Sequence, residues 1–198
     1  SVVGAVLGSS PATEFGKAAE AGDEAKLKQM YETAGREFTI NSPETGMGSW
    51  SNTALHKASR AGTLGCVQYL LSQGADVNVK NDYSNTPLHY ALREHNPAFA
   101  EKKKRGRHLE IAKALIVEGA DVNAIGEYKR TPLLLVSSKP IFEAALVQLM
   151  AAQHKGCAPL KVDEVTGGDA AIHRACAEEQ FEFVSVLVEH GANINLRN

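Results

Sequence analysis

The chain has 198 residues, 43% hydrophobic and 22% charged, and this composition argues against an extensively disordered protein. A formal net charge of −2 excludes a general attraction to nucleic acid or membranes, so binding of that kind would need a local patch. The three cysteines are far apart, and no two form a CxxC pair. Their pattern indicates a reducing compartment, the cytoplasm or the nucleus, with no disulfide framework: Cys66, Cys157 and Cys176.

Residues 1–12 have no helical periodicity, and we expect them to form a flexible arm. Their apolar start is too short to cross a bilayer, and no transmembrane segment is predicted. A helical pattern begins at Thr13, and Leu27, Met30 and Tyr31 continue it at spacings suited to one helical face. Residues 36–49 follow, with Asn-Ser-Pro at 41–43 and Gly-Met-Gly at 46–48, and are predicted to form a long loop.

The next segment has clear start and stop signals. Thr53 begins the phrase Thr-Ala-Leu-His-Lys-Ala, and 21 residues later Gly74 begins Gly-Ala-Asp-Val-Asn. Threonine is a frequent helix N-cap, whereas glycine can adopt the left-handed conformation that ends a helix. The two phrases and the apolar residues between them predict two short helices joined by a turn.

This pattern recurs along the chain. It starts again at Thr86, 33 residues after Thr53, and then at Thr131 and Ala170, with later closing phrases at Gly119 and Gly191. The second copy carries 12 additional residues, which fall within 94–107 and are predicted to form a loop between its helices. The third copy departs from the pattern at Leu134, where the others have His, and at residues 155–159. In the last copy, Asp169 is expected to be the N-cap.

Because of these recurring phrases, the sequence resembles an ankyrin-repeat array over residues 13–198. Its units begin near 13, 48, 81, 126 and 165, and the first of them is degenerate. The resemblance implies an all-α solenoid of stacked antiparallel helix pairs, with β-turn fingers projecting between units. The predicted helices are too short to be stable alone, so stacking must stabilise them. The framework histidines are expected to hydrogen-bond the backbone of the finger turns: His56, His89 and His173.

The resemblance also implies a non-catalytic module that binds a protein partner through its fingers and the exposed side of each first helix. At those positions the sequence places aromatic, amide and guanidinium groups, and Trp, Tyr and Arg dominate interface hot spots. The alternative is that the aromatic rings only make the loops rigid. The candidate partner-binding residues are Trp50, Asn52, Arg60, Tyr83, Asn85, Arg93, Tyr128 and Arg130.

A second candidate site is the cationic part of the insertion, predicted as a basic loop: Lys102, Lys103, Lys104, Arg105 and Arg107. It favours the alternative of a cationic adaptor that binds RNA or anionic lipid. A solvated loop without a ligand is the simpler interpretation. A third possibility is the regulatory domain of a larger enzyme or channel. The missing initiator Met and the apolar last helix suggest a monomeric domain of a longer chain.

No catalytic residues, metal site or cofactor are predicted. His173 and Cys176 lie three residues apart on one predicted helix, but a nucleophilic site also needs an orienting group and an oxyanion hole. One modification site is suggested by resemblance alone. Asn123, eight residues after Leu115, is similar to the asparagine that asparaginyl hydroxylases accept in ankyrin repeats.

Overall fold

The computed structural model describes residues 10–33, 39–46, 48–93, 102–135, 161–163, 170–177 and 181–197. Every regular element in these ranges is helical. In chain order the α-helices are α1 Pro11–Ala21, α2 Glu24–Thr33, α3 Ala54–Ala61, α4 Leu64–Ser72, α5 Pro87–Leu92, α6 Lys102–Val117, α7 Ala171–Ala177 and α8 Phe181–Glu189. Two 3-10 helices, Glu127–Lys129 and Pro132–Leu135, lie between α6 and α7.

The helices pair and stack as the repeat pattern predicts. α1 packs on α2, and α3 packs on α4. First helices also pack on first helices, α1 on α3 and α3 on α5, while second helices contact second helices. The core is therefore one apolar layer shared by successive units, and its largest fully buried hydrophobic side chains are Phe15, Leu27, Leu55, Leu70, Leu88, Leu92, Ile111, Leu115 and Leu187.

The first helix begins earlier than its pattern indicates. Ser10 is the N-cap, and its side chain accepts the Thr13 N–H at 3.2 Å, so α1 starts at Pro11 rather than Thr13. Ala12 is buried against the array. Residues 10–12 of the expected flexible arm thus belong to the first helix and its cap, whereas residues 1–9 lie outside the described part.

The closing phrases end the second helices in the predicted way. Gly74, Gly119 and Gly191 all have left-handed backbones, with φ of 81, 90 and 89°. At Gly119 this turn lets the Ala120 N–H donate to the Leu115 carbonyl at 3.0 Å. The apolar residue that follows each glycine is thereby directed back into the core.

A side-chain ladder connects the closing turns of successive units. The Asn41 side-chain oxygen accepts the backbone N–H of Asp76 at 2.8 Å, and the Asn78 oxygen accepts that of Asp121 at 2.7 Å. The same contact repeats from Asn123 to Lys161 and from Asp163 to Asn193, each at 2.9 Å. These bonds hold neighbouring units in register because each one joins two different repeats.

Where a first helix carries the framework histidine, the imidazole connects that helix to the turn that follows its unit, as expected. His89 Nδ1 accepts the Thr86 N–H at 3.1 Å, which leaves Nε2 as the donor to the Arg130 carbonyl at 3.1 Å. His56 bonds Thr53 and the Asn85 carbonyl in the same way. In the last unit, His173 Nε2 lies 2.8 Å from the Leu196 carbonyl.

The unit that begins near residue 126 is less regular, as its sequence suggested. Its first segment is the 3-10 helix Pro132–Leu135, whereas the first helices of the other four units are α-helices. Leu134 is buried at the histidine position and has no polar side-chain atom with which to reach a neighbouring finger. The predictions for residues 155–159 and Asp169 fall outside the described residues.

The buried imidazoles predict an acid-sensitive fold. Burial lowers the pKa of His56 and of His89 to about 4, from the usual 6.5. Stability from a lowered histidine pKa is complete above the unfolded value and is lost as the pH falls towards the folded value. We therefore expect the free energy of unfolding, measured with urea, to fall between about pH 6.5 and about pH 4.

The variant His56→Ala/His89→Ala tests the source of this effect. It should lose about 1–3 kcal/mol per histidine at neutral pH, because the finger carbonyls lose their donors. Across the same pH range its stability should decline less than that of the wild type. A decline of equal size would show that carboxylates alone cause it.

Candidate protein-interaction surface

Three β-turn fingers are described: residues 48–52, 81–85 and 126–130. Backbone hydrogen bonds close the second and third, from Asn81 N–H to the Asn85 carbonyl at 3.1 Å and from Gly126 N–H to the Arg130 carbonyl at 2.9 Å. The first is closed from outside, since the Glu44 N–H donates to the Asn52 carbonyl at 2.9 Å. Each finger is thus a hydrogen-bonded turn directly before a first helix.

The finger tips contain residues with left-handed backbones. Ser51, Ser84 and Lys129 occupy equivalent positions and have φ between 53 and 61°. Trp50 and Tyr128, one residue earlier, also have positive φ, 53 and 55°. Positive φ is uncommon for bulky side chains and persists only where the surrounding contacts impose it. The turn therefore dictates the direction in which each ring projects.

Three contacts join the first finger to the second. The Asp82 N–H donates to the Trp50 carbonyl at 3.1 Å, and Asn81 Nδ2 donates to Asn52 Oδ1 at 2.9 Å. The rings of Trp50 and Tyr83 lie 5.1 Å apart between centroids and are tilted by 44°. Half of Trp50 is exposed to solvent, so this aromatic pair is a surface feature with a rigid base.

The third finger is joined to the second through Asn85. Asn85 Oδ1 accepts the Glu127 N–H at 3.0 Å, while Glu127 Oε2 accepts Arg93 Nη1 at 3.0 Å. Tyr128 at the tip is 73% exposed, and the guanidinium carbon of Arg130 lies 5.7 Å from its ring centroid. This distance is within the range of a cation–π contact.

The structure pairs Trp50 with Tyr83 and Tyr128 with Arg130 on adjoining fingers, and we call these four residues the finger-tip surface. It corrects the assignment of two others. Asn52 and Asn85 are only 4% and 2% exposed, and their side-chain oxygens accept hydrogen bonds from the adjoining fingers. The residue before each of these first helices faces the adjacent finger and not solvent, so both asparagines are framework residues.

The other two arginines lie on the first-helix side of the array and are paired. Arg60, with about half its side chain exposed, contacts Glu20, which also pairs with Lys57 at 3.1 Å. Partial burial opposes ionisation of Glu20, but Lys57 and Arg60 hold its pKa below the usual value. Arg93 is mostly buried and bonds Glu127. Arg60 is therefore better placed than Arg93 to contact a partner.

The basic loop prediction was wrong about secondary structure, because residues 102–107 form the first turns of α6. Gly119 ends α6 as Gly74 ends α4, so Leu109 corresponds to Leu64 and α6 is seven residues longer at its start. His108 supports this extension, since its Nε2 lies 3.1 Å from the Arg60 carbonyl and its ring packs against Gly62. The side chains of 102–106 lie outside the described part, and Arg107 is exposed.

The possible nucleophilic pair is not assembled as a catalytic site. His173 Nδ1 accepts the Ala170 N–H at 3.1 Å and Nε2 contacts the Leu196 carbonyl, so both nitrogens bond backbone. Cys176 is exposed. Within the described ranges, no group of three or more His, Cys, Asp or Glu residues is arranged to hold a metal ion.

Asn123 lies in the ladder of closing turns, where its side-chain oxygen accepts the Lys161 N–H at 2.9 Å. Leu115, the other residue of the resemblance to hydroxylation motifs, is fully buried. An enzyme would have to open this hydrogen-bonded turn to reach the asparagine. Hydroxylation of Asn123 stays a prediction.

Asn81 and Glu127 were missed by the sequence reasoning, although both hold the surface together. Asn81 Oδ1 accepts the N–H groups of Tyr83 and Asn85, and its Nδ2 also donates to Tyr90. The sequence does indicate a special role for Asn81, because it occupies the position at which Gly48 and Gly126 begin the other two fingers. Glu127 had no comparable signal, since its pairing with Arg93 joins residues 34 positions apart.

Comparison with known families agrees with this geometry. The family model for ankyrin repeats, in three copies, matches residues 15–102 and 100–198. The chain belongs to the ankyrin-repeat family. A search among curated proteins gave no match. In the part of the chain that the structure describes, no helix is both long and apolar enough to cross a membrane.

A glycine at the base of the third finger tests how tightly the surface is held. A Cβ at Gly126 would overlap Asn85 Oδ1 and would lie 2.7 Å from His89 Nε2. We expect Gly126→Ala to cost about 1–3 kcal/mol of unfolding free energy, as overpacking typically does, measured by urea denaturation.

Gly65→Ala is the matched control. Gly65 lies inside α4, where an added methyl meets only the end of the Glu24 side chain. That variant should be neutral or more stable, because alanine favours helices over glycine by about 1 kcal/mol. Equal changes in unfolding free energy for the two variants would contradict close packing of Gly126 against Asn85 and His89.

Proposed function

We propose that this ankyrin-repeat array binds a partner protein, without catalysing a reaction, through the finger-tip surface and the exposed first-helix side near Arg60. Ankyrin repeats are in general protein-interaction modules. The observation that carries the site assignment is the row of exposed aromatics on turns that are hydrogen-bonded to one another: Trp50, Tyr83 and Tyr128.

Preorganisation is the mechanism by which such a surface would bind. Binding costs free energy whenever side chains and loops must be ordered. Trp50 and Tyr83 already contact each other, and the backbone beneath them is bonded across the two fingers. A partner would therefore meet rings in defined positions, and little of its interaction energy would be spent on ordering them.

The parts of the surface offer different contacts. Trp50 and Tyr83 present apolar area with a polar hydroxyl at one end, which suits an interface edge. Tyr128 and Arg130 combine a ring with a guanidinium, a group that can form two parallel bonds to a carboxylate. We expect the partner to place an apolar side chain against the aromatic pair and an acidic group near Arg130.

The test is the triple variant Trp50→Ala/Tyr83→Ala/Tyr128→Ala. A partner captured from the native cell by the wild-type chain should bind this variant at least about 30-fold more weakly, the effect of losing one hot spot of about 2 kcal/mol. Circular dichroism should show unchanged helix content, because the rings are not part of the core.

A second variant, Lys102→Gln/Lys103→Gln/Lys104→Gln, is the control for charge. It changes the start of α6 and leaves the fingers intact, so it should bind like the wild type. Undiminished binding by the triple aromatic variant would refute the finger-tip site. Loss of binding only in the lysine variant, with a steep dependence on salt, would favour an anionic ligand of α6.

A further inference from the structure

The first unit lacks the imidazole that joins later first helices to the next finger. Gly16 precedes the helix-ending Gly22 by six residues, as His56 precedes Gly62, so glycine stands at the histidine position. Phe15 beside it is buried in the core like Leu55 beside His56. The first finger, which carries Trp50, must therefore be attached in another way.

The side chain of Glu44 occupies the space at Gly16. A Cβ added at Gly16 would overlap Glu44 Oε1 and would lie 3.1 Å from its carboxyl carbon. Glu44 is only 5% exposed, an unusual degree of burial for a carboxylate unless it is paired with a cation. Glycine at this position is what allows the acidic side chain to lie directly against the helix backbone.

The bond that the later units take from histidine is made here by the backbone of Glu44. Its backbone N–H donates to the Asn52 carbonyl, the equivalent of the Asn85 and Arg130 carbonyls that receive imidazole bonds. Its Oε2 lies 3.2 Å from Lys57 Nζ on the following first helix. One residue thus connects the first unit, the first finger and α3.

Thr45, next to Glu44, completes the attachment. Thr13 Oγ1 donates to the Thr45 carbonyl at 3.2 Å, and the Thr45 hydroxyl donates to Ser10 Oγ at 2.9 Å. These bonds reach the N-cap of α1, which accounts for the early start of that helix. The segment that leads into the first finger is consequently bound along the N-terminal turn of α1.

We propose that Glu44 is the positioning residue of the first finger, where its carboxylate, seated on Gly16 and paired with Lys57, holds in place the backbone N–H that replaces the imidazole donor and so sets the position of Trp50. Burial raises the pKa of Glu44, and the ammonium of Lys57 opposes that shift. Glu20 and Arg60 are the other charged groups of this cluster. Any effect on partner binding rests on the function proposed above, whereas the positioning role does not.

Two probes report on the first finger without a partner. Trp50 is the chain's single tryptophan, so its fluorescence and acrylamide quenching report on this turn alone. The Asp82 amide bonds the Trp50 carbonyl, so its hydrogen exchange reports on the contact between the first two fingers. The Gly126 amide, bonded to Arg130 in the third finger, is the internal reference.

Glu44→Ala should raise the quenching of Trp50 and accelerate Asp82 exchange at least about tenfold, because it leaves Lys57 without its buried partner. Glu44→Gln should retain most of the protection, since its amide oxygen still accepts from Lys57 and fills the space at Gly16. Glu110→Ala removes an exposed ion pair with Lys113 and should change neither probe.

The expected result is a change confined to the first finger, with Gly126 exchange unaltered. Wild-type behaviour of Glu44→Ala at Trp50 and Asp82 would overturn the proposal. Equal acceleration at Asp82 and Gly126 would also overturn it, because that outcome means general destabilisation and not loss of a local attachment.

Binding of the captured partner by the variants distinguishes a failure of this proposal from a failure of the proposed function. In one outcome, Glu44→Ala raises the quenching of Trp50, but neither this variant nor the triple aromatic variant binds the partner more weakly. The proposed binding site is then wrong, and the positioning role of Glu44 stands. If the triple variant loses binding while Glu44→Ala leaves Trp50 unchanged, the function stands and the role of Glu44 is refuted.

Discussion

The hydrogen bond from a buried group on one first helix to the finger of the next unit is the interaction on which the rest of this structure depends. His56 and His89 each use one ring nitrogen for the start of their own helix and the other for the following turn. A single side chain therefore couples helix start, finger position and stacking. Short helices that are marginal alone become stable when each is joined to its neighbour in this way.

The same coupling explains why the finger tips can be exposed and rigid together. Polar backbone groups of the fingers are satisfied beneath the surface by Asn52, Asn81 and Asn85. The aromatic rings take no part in these bonds, and Trp50 and Tyr128 are at least half exposed. A row of rings on such a base is suited to protein binding, because neither component has to rearrange extensively.

Departures from the repeat pattern have local structural solutions. At the first junction, glycine replaces histidine and the Glu44 carboxylate occupies the space. In the unit that begins near residue 126, Leu134 fills the position with apolar volume and lies in a helix of the 3-10 type. In the unit that begins near residue 81, additional residues lengthen α6, and His108 docks that extension on the preceding first helix. First helices still pack on first helices, α1 on α3 and α3 on α5.

The sequence by itself determined the family, the order of the helices and the position of the finger tips. These follow from local signals such as Thr-Pro-Leu-His at Thr86 and the glycine at Gly119, whose conformational preferences act within a few residues. It also predicted the backbone bonds of the framework histidines. Only the tertiary structure decided that Asn52 and Asn85 are buried, that residues 102–107 are helical, and that Glu44 lies against Gly16. Those outcomes depend on contacts between residues far apart in the chain, and periodicity within one repeat carries no information about them.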